Sequence, residues 1–527
     1  MNTEQLNSLL PWSEPVELST KRGLRILRTA PPTSEFWDAW YDAKAELKAL
    51  GIAPSLYDGV WAINWWSLPP DRRWIDTAGV ELPAGLFAHQ KSASLDMLRK
   101  GSTILADDLG LGKTRAALLT ALVAHFALGT ETLVLCPAGL KENWRREAVE
   151  VQFPMAHIEI VSDAKIPKPS ALPYVLLVDE AHRMGQMTSL RTKSFLELAA
   201  QAKAVYPITG TPLRNGRPAA LFPLLRSVGH PLGRNRSRFE TRYCGGHLQE
   251  MRIRDKVTKK PRTVKIWKAD GAENLDELRL QLADWMIRRK KDECLDLPPK
   301  TRVLRDVAPS PEALAEYDQY ITLARSEFGR KVKAGIVLEE SETVAMFTKI
   351  RVAASLAKVF EAIDIVEETI EQGNQIVVFV EFQETARRIA AKWLAPVITG
   401  EVSLPARQLA VDAFQAGRLK AFIATGGTGL GLTLTAANTV LLVDRPLTPG
   451  DADQEEDRAY RVGTRWPVTA LWLRCFPIDR VIDRMLARKQ AAIDAILDGT
   501  DAKIGARRLG PLKPNEVLAE LLRNEEE

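Results

Sequence analysis

The sequence predicts an α/β protein built as two parallel-sheet lobes with helical and basic insertions. Two series of short apolar runs carry that prediction. The first comprises residues 132–137, 174–179 and 204–209; the second comprises 375–380, 420–424 and 439–444. Runs of this length without polar alternation are strands buried on both faces, as in parallel sheets. Helical patterns separate them, so helices cover both faces and ligands sit at the carboxyl ends of the strands. A third observation locates the start of the first lobe. The apolar run 103–106 leads into Asp107-Asp108-Leu109-Gly110-Leu111-Gly112-Lys113-Thr114, and the Ala/Leu-rich stretch to Val123 reads as a helix.

Taken in order, residues 1–77 are rich in tryptophan: Trp12, Trp37, Trp40, Trp61, Trp65, Trp66 and Trp74. Pro31-Pro32 and Pro69-Pro70 punctuate the segment, and 35–50 carries a helical pattern. It reads as a small accessory domain whose indoles pack a core, with stacking on bases as the alternative. Residues 78–230 form the first lobe and 231–300 a basic insertion. Residues 301–498 form the second lobe, with a helical protrusion over about 310–362. The tail, 499–527, ends in Glu525-Glu526-Glu527 and is expected to be partly disordered. No repeat at solenoid periods is present.

The 527-residue chain has a net charge of only +5. Residues 231–268, however, hold twelve Lys/Arg against three Asp/Glu, a local +9 that leaves −4 for the remainder. A concentrated basic patch suits a polyanion partner; a solvated loop is the plainer alternative. Cys136, Cys244, Cys294 and Cys475 are scattered, which argues against a disulfide framework and for a reducing, cytoplasmic setting. Cys244-Gly-Gly-His247 has metal-like spacing but no second ligand pair nearby, so no zinc is expected. Residues 1–12 lack the layout of a signal peptide, and no apolar stretch is long enough to span a bilayer, so no membrane partner is expected.

The loop at 107–114 has the chemistry of a phosphate cradle. Gly110 and Gly112 let backbone N–H groups turn toward an anion at the positive end of the following helix. Lys113 then reaches the β- and γ-phosphates, and the Thr114 hydroxyl takes a place on Mg²⁺. The strict pattern wants Gly where Asp107 stands, and the string alone also fits a tight strand–helix turn. Support comes from Asp179-Glu180-Ala181-His182, at the end of the 174–179 run. An Asp there can hold Mg²⁺, and Glu180 can orient and deprotonate the attacking water.

With those residues in place, the order of motifs resembles the Swi/Snf-type ATPases of helicase superfamily two, above all the annealing-helicase-like branch. Leu86-Phe87-Ala88-His89-Gln90 resembles the adenine-reading glutamine motif. Residues 105–114 resemble the phosphate loop, which in that family also carries Asp at the Asp107 position. Residues 136–147 resemble motif Ia, and 209–215 motif III. Arg242-Tyr243-Cys244 and 286–300 resemble family-specific segments. In the second lobe, Thr399-Gly400-Glu401-Val402 with Arg407 resembles the motif IV–V connection. Residues 426–433 resemble motif V and 454–463 motif VI, with Tyr460 and Thr464 where the family usually has His and Gln.

The resemblance implies two RecA-like lobes and a monomeric, DNA-dependent ATPase that moves along double-stranded DNA, forks or branched DNA included. It places ATP on Gln90, Asp107, Asp108, Leu109, Gly110, Leu111, Gly112, Lys113, Thr114, Asp179 and Gly429, and Mg²⁺ on Thr114 and Asp179. It places catalysis on Glu180, Lys113, Arg458 and Arg461. The two arginines are three apart, so on a helix they share one side. Closure would bring them to the γ-phosphate. A strand-separating helicase and an ATP-gated DNA-binding scaffold are the alternatives; intact Glu180, Arg458 and Arg461 argue against the scaffold.

Overall fold

The computed structural model describes residues 18–21, 24–28, 53–57, 60–65, 75–77, 79–83, 85–499 and 514–524, apart from 169–171, 214, 255–260, 335–337, 394 and 427–431. At the N-terminal end, β1 (Leu18–Lys21), β2 (Leu24–Arg28), β3 (Ala53–Tyr57) and β4 (Val60–Trp65) form an antiparallel sheet in the order β1-β2-β4-β3. The sequence pattern does not announce these strands. The helix expected over 35–50 and Trp12, Trp37, Trp40, Trp66 and Trp74 lie outside the described residues.

The first lobe opens with α1 (Ala88–Lys100), β5 (Ile104–Leu105), α2 (Lys113–Leu128), β6 (Glu131–Cys136), α3 (Lys141–Glu150), β7 (Ile158–Ser162) and β8 (Tyr174–Val178). It continues with α4 (Leu190–Ala199), β9 (Ala204–Pro207), α5 (Phe222–Ser227) and α6 (Arg236–Tyr243). Strands β7-β6-β8-β9 pair in parallel, and a parallel bridge between Leu105 and Ile208 sets β5 beside β9. Every residue of β8 is buried. Its side chains alternate between two apolar layers. Leu176 and Val178 join Phe195 and Phe222, while Val175 and Leu177 join Trp144, Ala117 and Ala121. The order β8-β9-β5 aligns three strand ends, so Asp179, Thr209 and Asp107 emerge side by side at the carboxyl edge of the sheet.

The boundaries expected for the basic insertion change. β10 (His247–Arg254) and β11 (Pro261–Lys268) form an antiparallel ribbon, but α7 (Leu275–Leu282) and β12 (Met286–Ile287) return to the first lobe. β12 pairs in parallel with β5, and Leu278, Leu282 and Trp285 are buried with Ile104 and Ala106. The cause is the apolar run Trp285-Met286-Ile287, which needs a second face to bury. The four-residue α8 (Lys291–Cys294) follows.

The second lobe comprises β13 (Lys300–Asp306), α9 (Pro311–Lys333), α10 (Glu340–Leu356), α11 (Val359–Glu371), β14 (Ile376–Val380), α12 (Gln383–Ala391), β15 (Val397–Ile398) and α13 (Leu404–Gln415). Then come β16 (Ala421–Thr425), β17 (Thr439–Leu442), α14 (Pro449–Glu456), β18 (Val468–Arg474) and α15 (Pro477–Leu497). Its sheet is parallel, in the order β13-β18-β17-β14-β16-β15. Of the tail expected to be partly disordered, the described residues 514–524 form a helix. This helix, α16 (Pro514–Asn524), buries Val517, Leu518, Leu521 and Leu522 against Tyr317, Ile321, Phe347 and Ile350. Those four residues form one helical stripe beside an acidic end. Helix α15 spans both lobes. Ile478, Val481, Ile482 and Leu486 join the second-lobe core, whereas Ile496 joins the first-lobe core with Ile493 and Leu497 against it. Among the described residues no helix is long and apolar enough to cross a membrane.

Candidate functional site

The turn between β5 and α2 has φ of 82° at Gly110 and 72° at Gly112, left-handed conformations that glycine adopts without strain. Close approach is a second constraint at Gly112, where a Cβ would stand 2.2 Å from Gln90 Nε2. Gln90 is buried and folds over the loop. Its Nε2 is 3.5 Å from the Leu111 carbonyl, its Oε1 accepts from Phe87 N–H at 3.3 Å, and His89 Nε2 is 2.9 Å from the same Leu111 carbonyl. Lys113 Nζ donates to the carbonyls of Asp107 and Asp108, each at 2.8 Å. Burial holds its pKa below the ordinary lysine value, opposed by the charges of Asp107, Glu180 and Asp179. Thr114 follows in the first turn of α2.

Two residues expected to hold nucleotide have their carboxylates engaged elsewhere. Arg289 Nη1 lies 3.4 and 3.3 Å from the two oxygens of Asp107, and burial still pushes that carboxyl's pKa up. Arg288 Nη1 is 3.1 Å from Asp108 Oδ1, and the Lys291 N–H donates to Asp108 Oδ2 at 3.0 Å. What Asp107 and Asp108 offer the cradle is backbone. Leu109 packs on Gly210, where a Cβ would meet Leu109 Cδ2 at 2.4 Å and Lys113 Nζ at 3.1 Å. The loop at 209–211 is thereby seated on the cradle.

At the end of β8, Asp179 Oδ2 accepts from Trp144 Nε1 at 2.8 Å and Oδ1 from the Glu180 N–H at 2.9 Å. Burial, then the neighbouring Glu180 carboxylate, raises the Asp179 pKa to about 7. Glu180 has a φ of 49°, a strained position for a side chain of this kind and one that recurs at functional sites. Its Oε2 lies 3.3 Å from His182 Nδ1, but that nitrogen is also 3.0 Å from Thr209 Oγ1. Glu180 Oε2 is buried with no hydrogen-bond partner among the described residues.

Across the cleft stand Arg458 and Arg461. The helix expected to carry them ends earlier: α14 stops at Glu456, and both arginines lie in the turns that follow. Thr464 organises those turns: its Oγ1 lies 2.7 Å from the carbonyls of Ala459 and Arg461, which share its one hydrogen, and accepts from the Arg461 N–H. Arg458 is buried, and burial lowers its pKa against the opposing pull of Glu180. Two acids close to Arg458 in the chain, Asp453 and Asp457, are paired with other cations: Arg302 pairs with Asp453, and Lys291 and Lys300 with Asp457. Arg461 Nη1 donates to Thr433 Oγ1 at 2.9 Å, and its Nε is buried without a hydrogen-bond partner among the described residues. Burial, then the charge of Arg458, brings the Arg461 pKa down to about 10. Its Cβ stands 3.1 Å from where a Cβ on Gly110 would be, so the second-lobe turn abuts the phosphate loop. Gly429 lies outside the described residues.

This arrangement fits a magnesium nucleotide. A divalent cation would relieve the two adjacent half-buried acids, and an anion would satisfy the unpartnered Arg461 Nε and the half-buried Lys113. Trp144 and the run Arg288-Arg289-Lys290-Lys291 were given no role in the site by the sequence. The cue was present in four consecutive cations after an apolar run, but their partners lie about 180 positions earlier, across the sheet.

A family model described as SNF2-related domain matches residues 158–373, and one described as Helicase conserved C-terminal domain matches 357–463. The phosphate loop therefore lies outside both matches and stands on its own geometry. A mouse protein described as DNA annealing helicase and endonuclease ZRANB3 is 26% identical over 467 residues, covering 81% of this chain and 42% of that protein. A Caenorhabditis elegans homologue of SWI/SNF-related matrix-associated actin-dependent regulator of chromatin subfamily A-like protein 1 is 28% identical over 430 residues, covering 74% of this chain and 58% of that protein. The chain thus spans about half the length of these relatives. A solved Sulfolobus solfataricus SWI2/SNF2 ATPase core in complex with double-stranded DNA aligns over 80% of this chain and 94% of that one, at 22% identity and a TM-score of 0.35.

Proposed function

Because the chain belongs to the SNF2-related helicase family, with annealing-helicase-like relatives, we propose that it is a DNA-dependent ATPase that translocates along double-stranded DNA. The observation that carries the reading is the meeting of Arg458 and Arg461 with the face bearing Lys113 and Glu180. Gln90, Gly110, Gly112, Lys113 and Thr114 bind ATP. Thr114 and Asp179 would hold Mg²⁺, which would supply charge neutralisation at the phosphates. Trp144 orients Asp179 through its indole N–H. Glu180 takes the proton of the attacking water, and the two guanidiniums stabilise charge that develops in the transition state. Because they come from the second lobe, hydrolysis alternates with lobe closure, and that alternation shifts the grip on backbone phosphates.

Double-stranded DNA, including forks or branched forms, is the proposed track. Support comes from the relative described as a DNA annealing helicase and from the +9 stretch at 231–268. The four free cysteines suit a reducing compartment. The test is steady-state ATPase with and without duplex DNA for wild type and Arg458→Ala. Removing Arg458 lowers kcat by about 10³-fold or more, while ATP affinity stays within a factor of about three. An Arg458→Ala enzyme with wild-type turnover contradicts the reading.

A further inference from the structure

Lys291 reaches from the first lobe into the second-lobe turn that carries Arg458 and Arg461. Its backbone N–H donates to Asp108 Oδ2, which fastens it beside the phosphate loop. Its Nζ donates to Asp457 Oδ2 at 2.5 Å and to the Tyr460 carbonyl at 3.0 Å. One ammonium therefore holds the residue before each arginine. It also lies 4.8 Å from the centre of the Tyr460 ring, within reach of a cation–π attraction. Lys291 and Asp457 are 8% and 7% exposed, so water and salt screen the pair little. Gly110 stands against Lys291 and the turn it holds: a Cβ there would meet Arg461 Cβ at 3.1 Å and Lys291 Cε at 3.6 Å.

We propose that Lys291 is a positioning residue for hydrolysis, which couples lobe closure to the seating of Arg458 and Arg461 against the phosphate loop. The inference rests on the reading of those arginines as transition-state groups. Lys291 acts through the turn, by holding Asp457 and the Tyr460 carbonyl. Lys300, from the second lobe itself, pairs with Asp457 Oδ1 at 3.0 Å. Loss of Lys291 therefore cuts the tie between lobes while Asp457 keeps a partner within its own lobe.

The experiment compares full-length wild type, Lys291→Met, Asp457→Asn and the double variant in DNA-stimulated ATPase, with Arg458→Ala alongside. Lys291→Met lowers kcat by about 10²-fold, the cost of misplacing a catalytic group by about 1 Å. KM for ATP stays within a factor of about three, the split expected when only the transition state is affected. Asp457→Asn has a comparable effect, and the double variant is no worse than the poorer single, because the Lys291–Asp457 contact is lost in both. A Lys291→Met enzyme with wild-type kcat overturns the proposal, as do losses that multiply in the double variant. If Lys291→Met fails to fold in a thermal melt, Asp457→Asn decides alone, and wild-type kcat there overturns it. Full activity in Arg458→Ala would sink the reading of the arginines as well. Inactive Arg458→Ala beside fully active Lys291→Met would remove only the role of Lys291.

Discussion

Burial and hydrogen bonding pull Lys113 in opposite directions. Desolvation disfavours its charge, while two loop carbonyls and four nearby carboxylates favour it. A cation so placed is suited to meet phosphates without side-chain reorganisation. Lys113→Ala is therefore expected to abolish ATP hydrolysis while leaving nucleotide-free DNA affinity largely intact; turnover within about twofold of wild type would contradict the assignment. Glu180 makes a separate prediction. Glu180→Gln keeps Asp179 and Thr114 for the metal, so it binds ATP normally but traps it. Nucleotide affinity measured beside single-turnover hydrolysis checks this, and loss of binding with chemistry retained would reassign the residue. At this scale the strings Gly110 to Thr114, Asp179-Glu180, Arg458 and Arg461 were legible as short motifs, and the structure sets them around one cleft. The sequence was silent where function depends on pairing through space. The pairing of Asp107 with Arg289 and of Trp144 with Asp179 joins residues far apart in the chain and leaves no local signal.

Among the elements, α15 has an unusual buried cation at the point where it crosses between lobes. Lys489 is 2% exposed, and among the described residues its Nζ donates to Asn215 Oδ1 at 3.4 Å and to the Leu447 carbonyl at 3.0 Å, both uncharged acceptors. Burial, then the charge of Arg217, lowers its pKa from 10.5 to about 8. The unfolded chain keeps this proton up to the ordinary lysine value, so between those limits the unfolded state binds more protons and stability rises with pH. Below pH 8 the protonated lysine costs the fold roughly 3 kcal/mol. Lys489→Met is expected to raise the melting temperature at pH 7, with an advantage that shrinks as pH climbs toward 10. A constant difference across that range would contradict it. The basic stretch 231–268, whose Lys259 and Lys260 lie outside the described residues, yields a different prediction. Neutralising Lys259, Lys260, Arg262 and Lys265 weakens duplex binding for every sequence and flattens the salt slope by up to about 0.9 for each DNA phosphate that these cations neutralise. An unchanged slope in a salt titration would take the stretch off the DNA. Long buried strands such as β8 and β14 were legible from their apolar runs. The two-residue β12 was not, since it is a strand only because β5 lies next to it. The end of α14 was also hidden, because motif spacing does not reveal where a helix gives way to turns.

For the whole molecule, the two parallel sheets were legible because each needs a fully apolar ladder, and the sequence displays six of them. How the lobes meet was not. The meeting is made by α15, by Lys291 with Asp457, and by the Arg461 turn on Gly110, and each contact joins residues far apart in the chain. These contacts set the Arg461 turn against the phosphate loop, and under the proposed function they make lobe closure the event on which hydrolysis would depend. Movement along duplex DNA by such alternation needs a grip on backbone phosphates. Unwinding needs in addition an element that breaks stacking worth about 1.4 kcal/mol per step. The most direct test is displacement of a bound third strand from duplex DNA, with Glu180→Gln as control and a tailed duplex assayed in parallel. Translocation predicts ATP-dependent triplex displacement by wild type, none by Glu180→Gln, little unwinding of plain duplex, and ATPase stimulated more by duplex than by single strands. Efficient unwinding of the tailed duplex without any triplex displacement would contradict it.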